Sequence, residues 1–271
     1  KLAIQNAPFE SVFYSNLSET YRKRYKFEQS LSILYFSKIL THKDLSIDYR
    51  IAKLNTNLKN YSQADTIYKA LIKNKNVGKD IIYSYCSNLI KFKKEKDTIL
   101  FIKNYEQNFE TDEVLKSLIG LAYLGQHQYN SAENYLSQAI QLNKKNANSY
   151  AMLGDCYTRM GKSDKAIKNY KISLEIEPKN KSALNSLAAL NYFNGDINEA
   201  ERLYKYSISH NEYNHEAKYS LAQCQLAKSN YTEGWKNFEY RWFVNEFNSR
   251  KIRSNLPKFK LNTENKNLLV W

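Results

Sequence analysis

The chain has 271 residues of which only 7 are Gly and 3 Pro, about a third of average usage, so folds built on hairpin turns, Gly-rich phosphate loops or collagen-like repeats are poor candidates. Its 41 Lys and Arg outnumber 27 Asp and Glu for a formal charge of +14, and 42% hydrophobic content can bury a core at this length. Cys86, Cys156 and Cys224 are odd in number, far apart and without a CxxC pair, which argues against disulfides and zinc and for a reducing, cytoplasmic setting; no apolar run nears the roughly 18 residues a spanning helix needs.

What remains is a helix-rich protein, and a fixed step of 34 residues organises it. Residues 1–10, KLAIQNAPFE, read as a leader in an excerpt of a longer polypeptide, with neither an initiating Met nor a signal-peptide core. Seven windows follow without an insertion: 11–44, 45–78, 79–112, 113–146, 147–180, 181–214 and 215–248. At the eighth place stand Ser18, Ala52, Cys86, Gly120, Gly154, Ala188 and Ala222, and at the twentieth Ser30, Ala64, Thr98, Ala132, Ala166, Ala200 and Gly234. All are small, as two helices crossing in close contact require. Place 24 carries the bulk instead, with Leu34, Tyr68, Ile102, Leu136, Tyr170, Tyr204 and Phe238. Apolar places 4, 7, 8 and 11, then 20, 24 and 27, keep the helical step. Each window is thus predicted to be a helical hairpin. Gly161 and Gly195 end first helices at place 15, and Pro178 follows a second helix at place 32.

The window containing AMLGDCYTRMGKSDKAIKNYKISLEIEP, with Leu153, Gly154, Tyr157, Ala166, Tyr170 and Pro178 at marked places, resembles the tetratricopeptide repeat (TPR). Windows 113–146 and 181–214 match nearly as well; 11–44 and 79–112 are degenerate, with Glu95 at place 17. The resemblance implies an all-α, right-handed superhelical solenoid of about seven helix-turn-helix units and a non-enzymatic scaffold that binds a protein or peptide. It also implies that places 2, 5, 9, 12 and 13 of each first helix face a concave groove. The groove would then present Arg22, Lys23, Tyr49, Lys53, Tyr83, Ser87 and Lys91 toward the N-terminus. Asp155 and Arg159, spaced i, i+4 for a salt bridge, stand in the middle, and Asn185, Tyr192 and Tyr219 toward the C-terminus. An extended peptide is expected there, its acidic segment near Arg22, Lys53 and Lys91.

Charge is concentrated: the first two windows and residues 249–271 hold +12 of the +14. Two readings stay open, a compositional bias toward Lys, Asn, Ile and Tyr, or an anionic partner at those ends. Nucleic acid is disfavoured, because RNA-reading helical repeats keep a 35-residue period with a base code. The family's carboxylate clamp and asparagine ladder are both missing, since place 5 reads Ser15, Tyr49, Tyr83, Ser117, Ala151, Asn185 and Tyr219, and place 6 lacks successive Asn.

In the last window Tyr231, Trp235, Phe238 and Trp242 fall at i, i+4, i+7 and i+11, predicting one continuous helical stripe. Trp235, Phe238 and Trp242 are expected to dock residues 249–271 or a further domain. Residues 249–271 read as a basic linker with a possible strand in NLLVW. Together with GWKNFEYRW, Pro257 and Leu268–Trp271, this stretch resembles bacterial TPR proteins that lead into a glycosyltransferase-like domain, although Pro257-Lys258-Phe259 stands where such linkers carry Trp-Gly. The alternative it implies is the substrate-recognition region of a glycosyltransferase whose catalytic domain lies beyond residue 271. Within the chain no nucleotide fingerprint or Ser-His-Asp set occurs, and His42, His127, His210 and His215 do not suggest a metal site. No cofactor is expected.

Overall fold

The computed structural model describes residues 10–41, 44–74, 77–105 and 111–244. Fourteen α-helices occupy them, with no strand among the described residues. They pair as α1 (Ser11–Lys23) with α2 (Phe27–Leu40), α3 (Leu45–Asn57) with α4 (Tyr61–Ile72), and α5 (Lys79–Lys91) with α6 (Glu95–Tyr105). Next come α7 (Glu113–Gly125) with α8 (Tyr129–Leu142), α9 (Ala147–Arg159) with α10 (Ser163–Ile176), and α11 (Lys181–Phe193) with α12 (Ile197–His210). The last pair is α13 (His215–Ala227) with α14 (Tyr231–Phe238), closed by a 3-10 turn over Glu239–Phe243. Every first helix starts at place 1 and every second helix at place 17, the degenerate windows included. Neighbouring hairpins pack side by side along the chain, which makes the architecture an all-α solenoid.

Local chemistry sets both ends of five of the seven first helices. Place 34 holds Asp44, Asp112, Asn146, Asn180 and Asn214, whose side chains accept from backbone N–H groups in the turn that follows. These caps satisfy donors that a helix start leaves open. Gly78 occupies the same place ahead of α5 with no side chain to offer. At the other end, place 15 is left-handed in all seven repeats: Tyr25, Lys59, Lys93, His127, Gly161, Gly195 and Ser229 have φ between 56° and 89°. The N–H of place 16 returns to the carbonyl of place 11 each time, from Lys26 to Tyr21 and onward to Asn230 and Gln225. This is the six-to-one closure that ends helices at a left-handed residue. Five of the seven are not Gly, so the hairpin imposes a conformation that L-residues resist. Lys93→Gly should therefore raise stability by about 0.5–1 kcal/mol, read as a higher denaturant midpoint with an unchanged slope.

The small places meet as the spacing requires. Every residue at places 8 and 20 is buried. In the first repeat the Ser18 and Ser30 hydroxyls lie 2.8 Å apart, and Ser30 Oγ donates to the Ser18 carbonyl at 2.8 Å. A core cluster runs from Leu124 to Cys224 through repeats four to seven.

The aromatic stripe of the last window is not continuous. α14 ends at Phe238, and the Arg241 guanidinium donates to the Phe238 carbonyl at 3.1 Å while covering the ring. The chain tightens into the 3-10 turn, which carries Tyr240 and Phe243 back onto His215 of α13, with ring centroids 5.5 and 4.7 Å away. Residues 1–9 of the leader and the linker and strand expected in 249–271 lie outside the described residues.

Candidate functional site: the face of the first helices

The N-terminal end of this face forms a hollow of about 260 Å³ between α1 and α3. Glu19, Arg22, Tyr49, Arg50 and Lys53 line it over Leu34 and Leu54. Arg22 grips Glu19 one turn earlier with two hydrogen bonds, which hold the Glu19 carboxyl below the usual range. Arg50 is half-buried and donates to the Ser15 carbonyl at 2.7 Å; its desolvation pulls its pKa down against the attraction of Glu19. With Lys53 exposed beside it, the hollow keeps a net positive charge after the Glu19 pairing. Arg50 sits at place 6 of its window, a basic residue next to the places that the repeat pattern puts on this face. Lys23 is exposed at the end of α1 and does not line the hollow.

Further along, several expected groove residues are tied to the next repeat. Tyr49 bonds Ser84 at 2.9 Å and the Asp80 carbonyl at 3.2 Å. Tyr83 donates to Asp112 at 2.8 Å, beside Lys79 at 2.8 Å. Ser87 is half-buried. Lys91 is exposed, yet desolvation in its surroundings lowers its pKa, and the charge of Lys181 lowers it further. Lys91 and Lys181 belong to repeats three and six, so the charge of one repeat is felt at another three along the chain. Asp155 does not form the expected salt bridge with Arg159. Its carboxylate accepts from the buried Tyr170 hydroxyl at 2.7 Å. Burial pushes its pKa up, against hydrogen bonds from Tyr170 and Ser186 and the more distant charge of Arg159. Arg159 itself is exposed.

The C-terminal end forms a second hollow, about 540 Å³, where Asn185, Tyr192 and Tyr219 come together with Phe193, Gln223 and Val244. Phe193 is 82% exposed and meets Tyr192 edge-on, centroids 5.8 Å apart. Asn185 is oriented by Ser207, which donates to its Oδ1 at 3.0 Å, and by Asn214, which donates to the same oxygen at 3.2 Å. This wall offers aromatic surface with amide groups fixed at its edge. Val244 reaches it because the 3-10 turn folds back, a feature that a helical stripe did not foretell.

Of the expected docking residues, Trp235 is 57% exposed, while Phe238 and Trp242 are half-buried. Phe238 packs on Tyr219 at 5.3 Å, and Arg241 stacks on Trp242 at 4.4 Å. His215 lies under the turn, where desolvation and then the charges of Lys218 and Lys181 lower its pKa. The thiols of Cys86, Cys156 and Cys224 are buried, and desolvation pushes them to about 12, 11 and 11. They pack rather than react. Among the described residues no three His, Cys, Asp or Glu side chains converge as a metal site, and no helix is long and apolar enough to cross a membrane.

Parts of the chain are similar to known proteins. A family model described as tetratricopeptide repeat matches residues 123–190. BBSome complex member BBS4 of Mus musculus is 39% identical over 72 residues, and that of Bos taurus 35% over 72. The match takes in 27% of this chain but only 14% of each of these curated relatives. Among solved structures, MamA 41-end from Desulfovibrio magneticus RS-1 is 21% identical, covering 63% of this chain and 96% of that one with a TM-score of 0.49. YrrB, a TPR protein with an unusual peptide-binding site, is 15% identical, covering 67% and 94% with a TM-score of 0.43. Seven hairpins in unbroken 34-residue register, with the family model falling on the best-formed of them over residues 123–190, give the described residues the fold of a tetratricopeptide-repeat solenoid.

Proposed function

We propose that the face of the first helices binds an extended peptide or protein segment, with an acidic stretch at the N-terminal hollow and an apolar side chain at the C-terminal one. The observation that carries this reading is the contrast between the two hollows. One gathers Arg22, Arg50 and Lys53 with a single carboxylate. The other gathers Tyr192, Phe193 and Tyr219 beside amides already oriented by Asn214 and Ser207. A guanidinium recognises carboxylates with paired bonds, while aromatic walls with fixed amides suit an apolar side chain and the peptide groups flanking it. Lys91 and Lys181 extend the positive field between the two.

The test is fluorescence anisotropy with labelled peptides that place an Asp/Glu run before an aromatic residue. Lys53→Glu combined with Lys91→Glu should weaken binding at least about tenfold, roughly 1.4 kcal/mol, and flatten its salt dependence. Unchanged affinity would discard the acidic-segment assignment. Tyr219→Ala should weaken peptides that carry the aromatic residue far more than those that lack it.

A second reading rests on Gly234–Trp242, whose sequence resembles repeat proteins joined to glycosyltransferases. There the same face would present a substrate to a catalytic domain elsewhere in a longer parent chain. Sugar-nucleotide binding by that parent supports it; a parent chain that binds none removes it.

A further inference from the structure

The ends of the solenoid touch. Tyr25, in the turn of the first hairpin, meets the loop before the seventh repeat, 186 residues on. The Asn211 amide donates to the Tyr25 hydroxyl at 3.0 Å, and the hydroxyl lies 3.3 Å from Asn211 Oδ1. The Tyr25 ring stacks on Tyr213, centroids 4.8 Å apart and planes 25° from parallel. Opposite charges flank the contact. Glu212 accepts from the Tyr213 hydroxyl and raises its pKa, while Arg24 across the seam lowers it.

The residue type in the hairpin turn supplies a second observation. Tyr25 occupies place 15 with φ 56°, where the sixth repeat has Gly195 and the fifth Gly161. Hairpin closure imposes that conformation on every residue at this place, so what sets Tyr25 apart is its ring. Among the seven residues at this place Tyr25 is the only Tyr, Phe or Trp, and its ring lies in the contact with Tyr213. The charge of Lys181 in repeat six also acts on Lys91 in repeat three, in keeping with a curled solenoid.

We propose that Tyr25, Asn211 and Tyr213 form a latch that joins the first hairpin to the loop before the last, closing the first-helix face into a ring that a ligand reaches only when the latch opens. Both partners are partly exposed, at 45% for Tyr25 and 37% for Tyr213. A neutral hydrogen bond and one aromatic pair at such a site are weak. The latch therefore opens and closes rather than locking, and the ring and the open arc are two states of one chain. The closure stands whether or not a peptide is the ligand.

Single-molecule energy transfer tests this directly. Dyes go on Gln29→Cys and Ser209→Cys, both at exposed positions; the three native thiols are buried with raised pKa values and take no label. The 271-residue chain should show a dominant high-efficiency population. Tyr25→Gly removes the ring but suits φ 56°, so the hairpin keeps its melting temperature while the high-efficiency population gives way to a broad, lower one. Asn211→Ala, on an exposed loop, should shift the same way and decides the matter if Tyr25→Gly misfolds. A parent chain without the high-efficiency population, or folded variants that leave it unchanged, overturns the latch.

Discussion

Gly154→Leu should destabilise the fifth repeat by about 3–5 kcal/mol, the sum of overpacking a helix crossing and stranding a half-buried carboxylate. A Cβ at Gly154 would stand 2.5 Å from Tyr170 Cε1, and Tyr170 is only 1% exposed. The ring cannot swing away freely, because its hydroxyl bonds Asp155 at 2.7 Å and lies 2.9 Å from Thr158 Oγ1. Displacing it leaves Asp155, already desolvated, without that donor. Other repeats calibrate the smaller change. Ala52 sits over Tyr68 and Ala188 over Tyr204, each fully buried or nearly so, so an Ala–Tyr crossing packs after a small shift. Gly154→Ala should therefore cost about 1 kcal/mol, well below Leu. Because each repeat rests on its neighbours, the Leu variant should melt in two steps, with repeats on either side of the break parting company. A single, unshifted transition for Gly154→Leu would mean that places 8 and 24 do not meet as the structure places them.

This crossing was legible in the sequence because it depends on residue size at a fixed spacing. Periods are robust to drift in composition, so even Glu95 at place 17 starts its helix in register. The caps were equally periodic and equally local, with Asp44, Asp112, Asn146, Asn180 and Asn214 at place 34. Gly161 and Gly195 announced the left-handed turn at place 15. Tyr25, Lys59, Lys93, His127 and Ser229 did not, because there packing of the two helices overrides the residue's own preference. The site was legible only in part. Helical phase puts Lys53, Asn185 and Tyr219 on the first-helix face, but it cannot tell that Tyr49 and Tyr83 are spent on bonds to the next repeat. Nor does phase reveal that Arg241 ends α14 by taking the Phe238 carbonyl. The meeting of Tyr25 with Tyr213 depends on curvature summed over six repeats, a quantity no single window contains.

Asp112→Ala should cost about 2–3 kcal/mol, and its charge should make the loss visible in pH. Asp112 is 4% exposed and starts α7 by accepting from the N–H groups of Val114 and Leu115 at 3.1 and 3.0 Å. Its other oxygen takes Lys79 and Tyr83 from α5, each at 2.8 Å. Removing the cap costs about 1 kcal/mol, and leaving the half-buried Tyr83 hydroxyl without this acceptor adds about 1–2 kcal/mol. The Lys79 pair adds little, because the lysine is 59% exposed and screened by solvent. Burial alone would raise the Asp112 carboxyl, but the bonds from Lys79, Leu115 and Tyr83 outweigh it and hold the group below its ordinary value. A carboxyl lowered by folding binds its proton more readily in the unfolded chain, so its stabilisation is complete above the unfolded pKa near 3.9 and fades as pH falls through the lower folded value. Glu19, Asp44, Glu199 and Glu201 are also lowered and fade in the same window, so the parent curve alone cannot isolate one group. Asp112→Asn can, since it keeps an oxygen for the cap and loses only the charge. Between pH 5 and pH 3 the parent should lose more stability than Asp112→Asn, and the two denaturation midpoints should converge at the acid end. Parallel curves would place the seam between repeats three and four on contacts other than this carboxylate, and an Asp112→Ala midpoint equal to the parent's would remove the cap from the account as well.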